Sequence, residues 1–290
     1  MAANIIQTRQ KEYVNSMSAL LSVFAGGLLR KFAVKQEALA GEEIYFYKSS
    51  GGSSTRNTRN MFDPSYAGQG GKIEAIKVVP DYILWDEKIP QKELWKTKLD
   101  VKSELVRLGV NQIAVDEDKM IINTIKAGSL NDVGAVGKDL NTQLRLLIAQ
   151  IADSVLSSKM AIDGQNGAVM IMNKTAYKIL AASNASIKSD FITNQMELSK
   201  GNVPRMFMGC DMVTFPDDVL TSGEIYLVPY GTYGFASWKG SQKQEALYEH
   251  RDLHLYLTAD ITAGAVLLDP KAITRFKYDP MSKPSEDLIV

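Results

Sequence analysis

The chain has 290 residues, with 33 basic and 33 acidic side chains and a pI near 6.8. That length supports one large domain or two of ordinary size, and the balanced charge excludes an overall basic field for gripping nucleic acid or an acidic one for cationic partners. One cysteine, Cys210, excludes an intramolecular disulfide and suits a reducing compartment, and the composition holds no low-complexity tract and no solenoid-period repeat.

Residues 1–40 place Tyr13, Met17, Leu20, Phe24 and Leu28 at helical spacing, with Leu21 and Leu29 widening the stripe, which predicts an amphipathic helix. The apolar run Met17–Leu29 is preceded by sixteen largely polar residues and is too short to span a bilayer, so it reads as neither signal peptide nor membrane anchor. Five basic residues (Arg9, Lys11, Arg30, Lys31, Lys35) stand against one acid, Glu12, up to Gln36. They read as a solvated face, or as a contact for a polyanion or an acidic neighbour.

Glu42–Lys48 (EEIYFYK) and Lys72–Val79 (KIEAIKVV) are β-prone and predict a hairpin. Between them lie twenty-three residues rich in Ser, Gly, Asn and Arg, far beyond the usual hairpin loop of about two to five. Around this loop Lys48, Arg56, Arg59 and Lys72 face only Asp63. A long basic flap with nothing to bury in its own chain is either disordered or laid on another molecule, and a copy of this protein could supply the complementary surface.

Asp81–Ile89 leads to Asp100–Lys126, which predicts one long helix, a rod of roughly 37 Å at ~1.5 Å per residue. Its stripe is read as Leu105, Leu108, Gln112 or Ile113, Asp116, Met120 and Ile122. Asp116–Asp118 is taken as its solvated side. Gly109 calls for close packing or a bend, and Gly128 for a stop. Leu140, Leu144, Leu147, Ile148, Ile151, Val155 and Leu156 predict a second amphipathic helix that packs on a sheet, with Asp139 near its start. Ala168–Met172 reads as a buried strand and Thr175–Ala182 as a helix. Strands are expected at Val203–Met208, Met212–Phe215, Ile225–Val228, Leu253–Thr258 and Val266–Leu268, which makes the second half mixed α+β rather than alternating βαβ.

Chemical motifs fail one by one. Gly68-Gln-Gly-Gly-Lys72 resembles a phosphate loop, but Tyr66 replaces its first glycine and Ile73 its Ser/Thr, and the dinucleotide fingerprint also fails at Ile73. His250-Arg-Asp-Leu253 mimics a kinase catalytic loop without the asparagine, which is Leu257 here. His250 and His254 have zinc-like spacing, but Arg251 stands where HExxH needs glutamate, and the local pattern is that of a strand. Asp116-Glu-Asp118 starts like a calcium loop, yet Ile121 occupies the glycine position. Cys210 is a small core residue by default. No catalytic, cofactor or metal residue is assigned.

The order of parts carries a resemblance. An N-terminal helical segment, a long hairpin, a rod ending DEDKMIINTIKAG, and a mixed region with AVMIMNKTAYKIL and GNVPRMFMGCDMVTFPDDVL resembles the major capsid protein of tailed bacteriophages, with the Hong Kong 97-type capsid fold. AGAVLLDPKAITRFK (263–277) is similar to the closing strand of many such proteins. The resemblance implies an N-arm over 1–39, an E-loop hairpin over 40–90, a P-domain with spine helix over 91–128, an A-domain over 129–236, and P-domain return strands with a C-terminal segment over 237–290. It implies intersubunit contacts through Tyr45, Tyr47, Lys48, Arg56, Arg59 and Lys72, with Arg9, Lys11, Arg30 and Lys31 in the arm. Lys48 or Lys72 would be the donor of any lysine–asparagine crosslink, and the spine would bend at Gly109.

Hexamers and pentamers, a separate scaffolding protein, a portal, non-specific inner-face contact with packaged double-stranded DNA, no membrane, and assembly in the host cytoplasm into a virion capsid complete that expectation. Two other readings are an encapsulin-type nanocompartment shell and, from a different class, a soluble carboxylate-dependent enzyme.

Overall fold

The computed structural model describes residues 27–39, 42–50, 72–90, 101–128, 130–162, 164–182, 206–220, 223–239, 243–249 and 254–279. In chain order the strands are β1 (Val34–Leu39), β2 (Tyr45–Ser50), β3 (Lys72–Lys77), β4 (Asp81–Pro90), β5 (Asn131–Gly134), β6 (Ala161–Ile162), β7 (Gln165–Asn166), β8 (Ala168–Asn173), β9 (Met206–Phe207), β10 (Cys210–Phe215), β11 (Glu224–Pro229), β12 (Tyr233–Lys239), β13 (Lys243–Glu249), β14 (His254–Leu267) and β15 (Thr274–Lys277). The helices are α1 (Val101–Ala127), α2 (Leu140–Leu156) and α3 (Lys174–Ala182). The fold is mixed α+β, as the sequence predicts.

One sheet has six strands in the order β5-β15-β11-β8-β10-β9. Its central strand β8 is buried at every position because it serves two cores, with the alternation of a strand sorting its side chains. Ala168, Met170 and Met172 pack with α2 and α3, whereas Val169 and Ile171 join a second core with α1. A strand covered on both faces reads as an unbroken apolar run, which is why AVMIM is recognisable from sequence.

Helix α2 covers this sheet with Leu140, Leu144, Leu147 and Ile151. Asp139 caps it by accepting a 3.0 Å bond from the Thr142 N–H. Asn173 plays the same part for α3, accepting from the Ala176 N–H at 2.7 Å. Cys210 lies buried on β10, and burial, helped by the neighbouring Asp211 charge, pushes its thiol up to about 12. In the folded protein it should resist alkylation at pH 8 and react once the chain unfolds; stoichiometric labelling of the native protein by mass spectrometry would contradict this.

The other large sheet is built around β14. Its ladder with β4 runs from His254 opposite Pro90 to Ala263 opposite Asp81. β12 and β13 pair with its other edge, and β1 adds to β12 in parallel. The separate strands expected at Leu253–Thr258 and Val266–Leu268 are thus one continuous strand. Ile261 and Ala263 enter the core while Asp260, on the opposite face, accepts a 2.8 Å bond from the Tyr82 hydroxyl, so this polar residue is satisfied within the sheet. β12 and β13 were not anticipated. Of the strand expected at Val203–Met208, Met206 and Phe207 form β9, and 203–205 lie outside the described residues.

The long helix matches its expected span within a residue, and its buried face matches in part. Ile113 and Ile122 are buried and Met120 packs against the core as expected, joined by Val110, Ile121 and Ile125, whereas Leu108 is 56% exposed and Gln112 points to water. Asp116–Asp118 is not its solvated side: Glu117 and Asp118 are 1% and 4% exposed. At Gly109 close packing is realised, since a Cβ there would stand 2.7 Å from the Trp85 indole.

The amphipathic helix expected through Leu28 and Leu29 is not continued there. Leu28–Phe32 is a 3-10 turn, followed directly by β1, and the earlier part of that helix lies outside the described residues.

Candidate assembly surfaces

β2 and β3 pair antiparallel from Tyr45 opposite Lys77 to Ser50 opposite Lys72, the hairpin that the sequence predicts. The strand period gives it two different faces. On one, Phe46 is buried against Gly234, where a Cβ would meet its ring at 2.7 Å, and it packs with Ile44, Val78, Ala236 and Trp238. Trp238 Nε1 donates to the Glu42 carbonyl at 2.7 Å, and Lys48 on the same face reaches Asp269 at 3.6 Å. The hairpin base is therefore seated on β12 of its own subunit. Gly234→Val should unseat Phe46 and cost about 2 kcal/mol or more by overpacking, measured by urea unfolding; an unchanged midpoint would show that the seat gives way freely.

The other face carries Tyr45, Tyr47 and Ile73. Tyr47 is 69% and Ile73 74% exposed, and Val79, just beyond β3, is 76% exposed. Tyr45 and Lys77 both pair with Glu43, tying the strands at the base without covering that face. Apolar residues turned outward from a rigid seat are an interaction surface that no other described residue covers.

The second feature is the N-terminal turn on α1. The Gly27 N–H donates to Glu117 Oε2 at 3.1 Å, and the Leu28 and Leu29 N–H groups donate to the two Asp118 oxygens at 2.9 Å each. A Cβ on Gly27 would lie 2.1 Å from Asp118 Oδ1, so only glycine permits this approach. Arg30 stands 3.6 Å from Glu117 and lies over the Phe235 ring, and the Tyr233 hydroxyl donates to the Leu29 carbonyl at 2.5 Å. Burial raises both carboxyls, Asp118 to about 6, against the lowering effect of the backbone N–H bonds.

The predicted contact residues separate accordingly. Tyr45 and Tyr47 share the outward face, Lys48 turns to its own subunit, and Lys72 closes the register opposite Ser50. Arg30 is spent on the turn, while Lys31 is exposed with its ammonium 5.4 Å from the Phe32 ring. Arg9, Lys11, Arg56 and Arg59 lie outside the described residues. Among the apolar flap residues expected to meet a neighbour, Tyr47 and Ile73 are outward while Phe46 is buried in its own chain; sequence reasoning missed Val79 as an outward residue and Glu117 and Asp118 as inward ones.

No protein-family model matches the chain. No curated protein matches it in sequence. Among solved structures it is similar to the capsid of Ralstonia phage GP4, with a TM-score of 0.65 at 12% identity over 89% of this chain and 90% of that one. It is similar to the capsid of the cyanophage P-SCSP1u, with a TM-score of 0.64 at 12% identity and 88% of each chain covered. A virus-like particle from Pyrococcus furiosus gives 0.61 at 11% identity, covering 93% of this chain and 99% of that one. The chain has the capsid fold, of the Hong Kong 97 type.

Proposed function

We propose that this chain is the major capsid protein of a tailed bacteriophage, assembling as hexamers and pentamers into the icosahedral shell around double-stranded DNA. The observation that carries the reading is the hairpin: a fixed seat on its own subunit, an uncovered apolar face, and a basic loop beyond it. In a closed shell one such contact repeats between copies, so a surface unused within the subunit becomes the bond between subunits. On this reading residues 40–90 form the flap, 91–128 carry the spine, 129–236 form the axial body, and 237–290 return to the spine's domain.

Scaffold, portal and inner-face DNA contacts belong to the same reading, with assembly in the host cytoplasm. The likeness to the Pyrococcus furiosus particle favours a second reading, a nanocompartment shell. Light scattering and negative-stain microscopy of the purified protein test the shell, and nucleic acid recovered from nuclease-treated particles separates the two. Deleting Gly51–Gly70 should leave a folded subunit that no longer forms shells; particles of normal size from that variant would refute the role given to the flap.

A further inference from the structure

The groups around the N-terminal turn carry an unbalanced charge. Glu117 and Asp118 are neighbours on α1, both shut off from water, and among the described residues Arg30 is the cation that pairs with Glu117. From β12 come Tyr233, whose neutral hydroxyl is used on the Leu29 carbonyl, and Phe235 beneath Arg30; Tyr230, just before β12, stacks on Phe32. On α1 itself, Asp116 and Lys119 pair with each other at 3.1 Å. Two carboxylates facing one guanidinium leave one negative charge in a dry site, and a single proton would cancel it.

We propose that this seam is a proton-linked anchor, in which uptake of one proton by the Glu117–Asp118 pair tightens the docking of Gly27–Phe32 on α1 and so fixes the point where the chain's N-terminal segment joins the subunit. The direction follows from linkage. In an undocked turn the carboxyls meet water and titrate near their ordinary values of about 4. Docked, burial outweighs the backbone bonds and Asp118 titrates at about 6. The docked form therefore binds the proton more tightly, so docking strengthens as pH falls through about 6 and stops gaining below the ordinary carboxyl range. A separation of about two pH units corresponds to a change on the order of 100-fold in the docking equilibrium, lost again as pH rises past 6.

Hydrogen–deuterium exchange on the full chain at pH 7.5 and 5.0, corrected for intrinsic exchange rates, reads this directly. Protection of the amides of 27–32 should rise about tenfold at the lower pH, while those of β8 change less than about threefold. Asp118→Asn removes the titrating group and should flatten the rise, whereas Glu117→Gln removes only a smaller contribution beside that of burial and should leave most of it. Protection that is constant or falls on acidification in the wild type overturns the proposal, and so does a full rise retained in the folded Asp118→Asn variant. A parallel rise throughout the molecule also overturns it, because the effect would then be global stability. If neither variant folds, the wild-type profile alone decides.

Discussion

Tyr47→Asp combined with Ile73→Asp should abolish shell formation while leaving the subunit folded. Both side chains lie on the outward face of the hairpin, 69% and 74% exposed, and neither contributes to the seat formed by Phe46, Ile44, Val78 and Trp238. Exposed positions of this kind tolerate substitution within about 0.5 kcal/mol of subunit stability. In a closed shell, however, each copy would bring two carboxylates into an apolar contact repeated at every interface. Burying an unpaired charge costs several kcal/mol per site, enough to move a repeated weak contact out of its working range. Circular dichroism should show an unchanged melting temperature, and light scattering should show no megadalton species. Shells of normal yield from this variant would mean that the hairpin's outer face is not an assembly surface.

Asp118→Ala should lower subunit stability by about 3 kcal/mol at neutral pH. The substitution leaves the Leu28 and Leu29 N–H groups without their acceptor, at about 1–3 kcal/mol for the buried Leu29 donor and less for the part-buried Leu28 one. The gain from removing a buried charge offsets part of that loss. Asp118→Asn, which keeps one carbonyl oxygen for Leu29 and sheds the charge, should cost less than half as much. Urea unfolding of the three proteins at pH 7.5 measures both differences, and equal stability of alanine variant and wild type would show that the carboxylate contributes nothing to holding the turn.

These two sites differ in how much of them was legible in the sequence. The hairpin announces itself because Tyr45-Phe-Tyr47 and Ile73–Ile76 are aromatic and branched residues in a strand pattern, and strand alternation is a local property. Helix α2 and strand β8 are legible for the same reason, one through its 3.6-residue period and the other through its unbroken apolar run. Asp118 is illegible because its partners are backbone N–H groups at positions 28 and 29, and a backbone amide leaves no mark on residue type. Two acids in a charged stretch of helix therefore read as solvated, although Ile113 and Ile122 of the expected stripe do face the core. Strand β1 hides similarly: VKQEAL has the composition of a helix surface, and its pairing with β12 is decided by residues far along the chain. The partner of Lys48 within its own chain, Asp269, is equally hidden, since it lies outside any local pattern.

The pairing of β1 with β12 also sets a clock. Leu39 lies opposite Lys239, two hundred positions later, and Phe46 rests on Gly234. At synthesis rates of about 5–20 residues per second, β1 and the hairpin base wait on the order of 10–40 s for the strand that receives them. A nascent or truncated chain that stops short of β12 has no seat on which to present the hairpin. Only a chain carried through β12 can hold that surface in place, so the order in which the polypeptide is made keeps incomplete copies from presenting it.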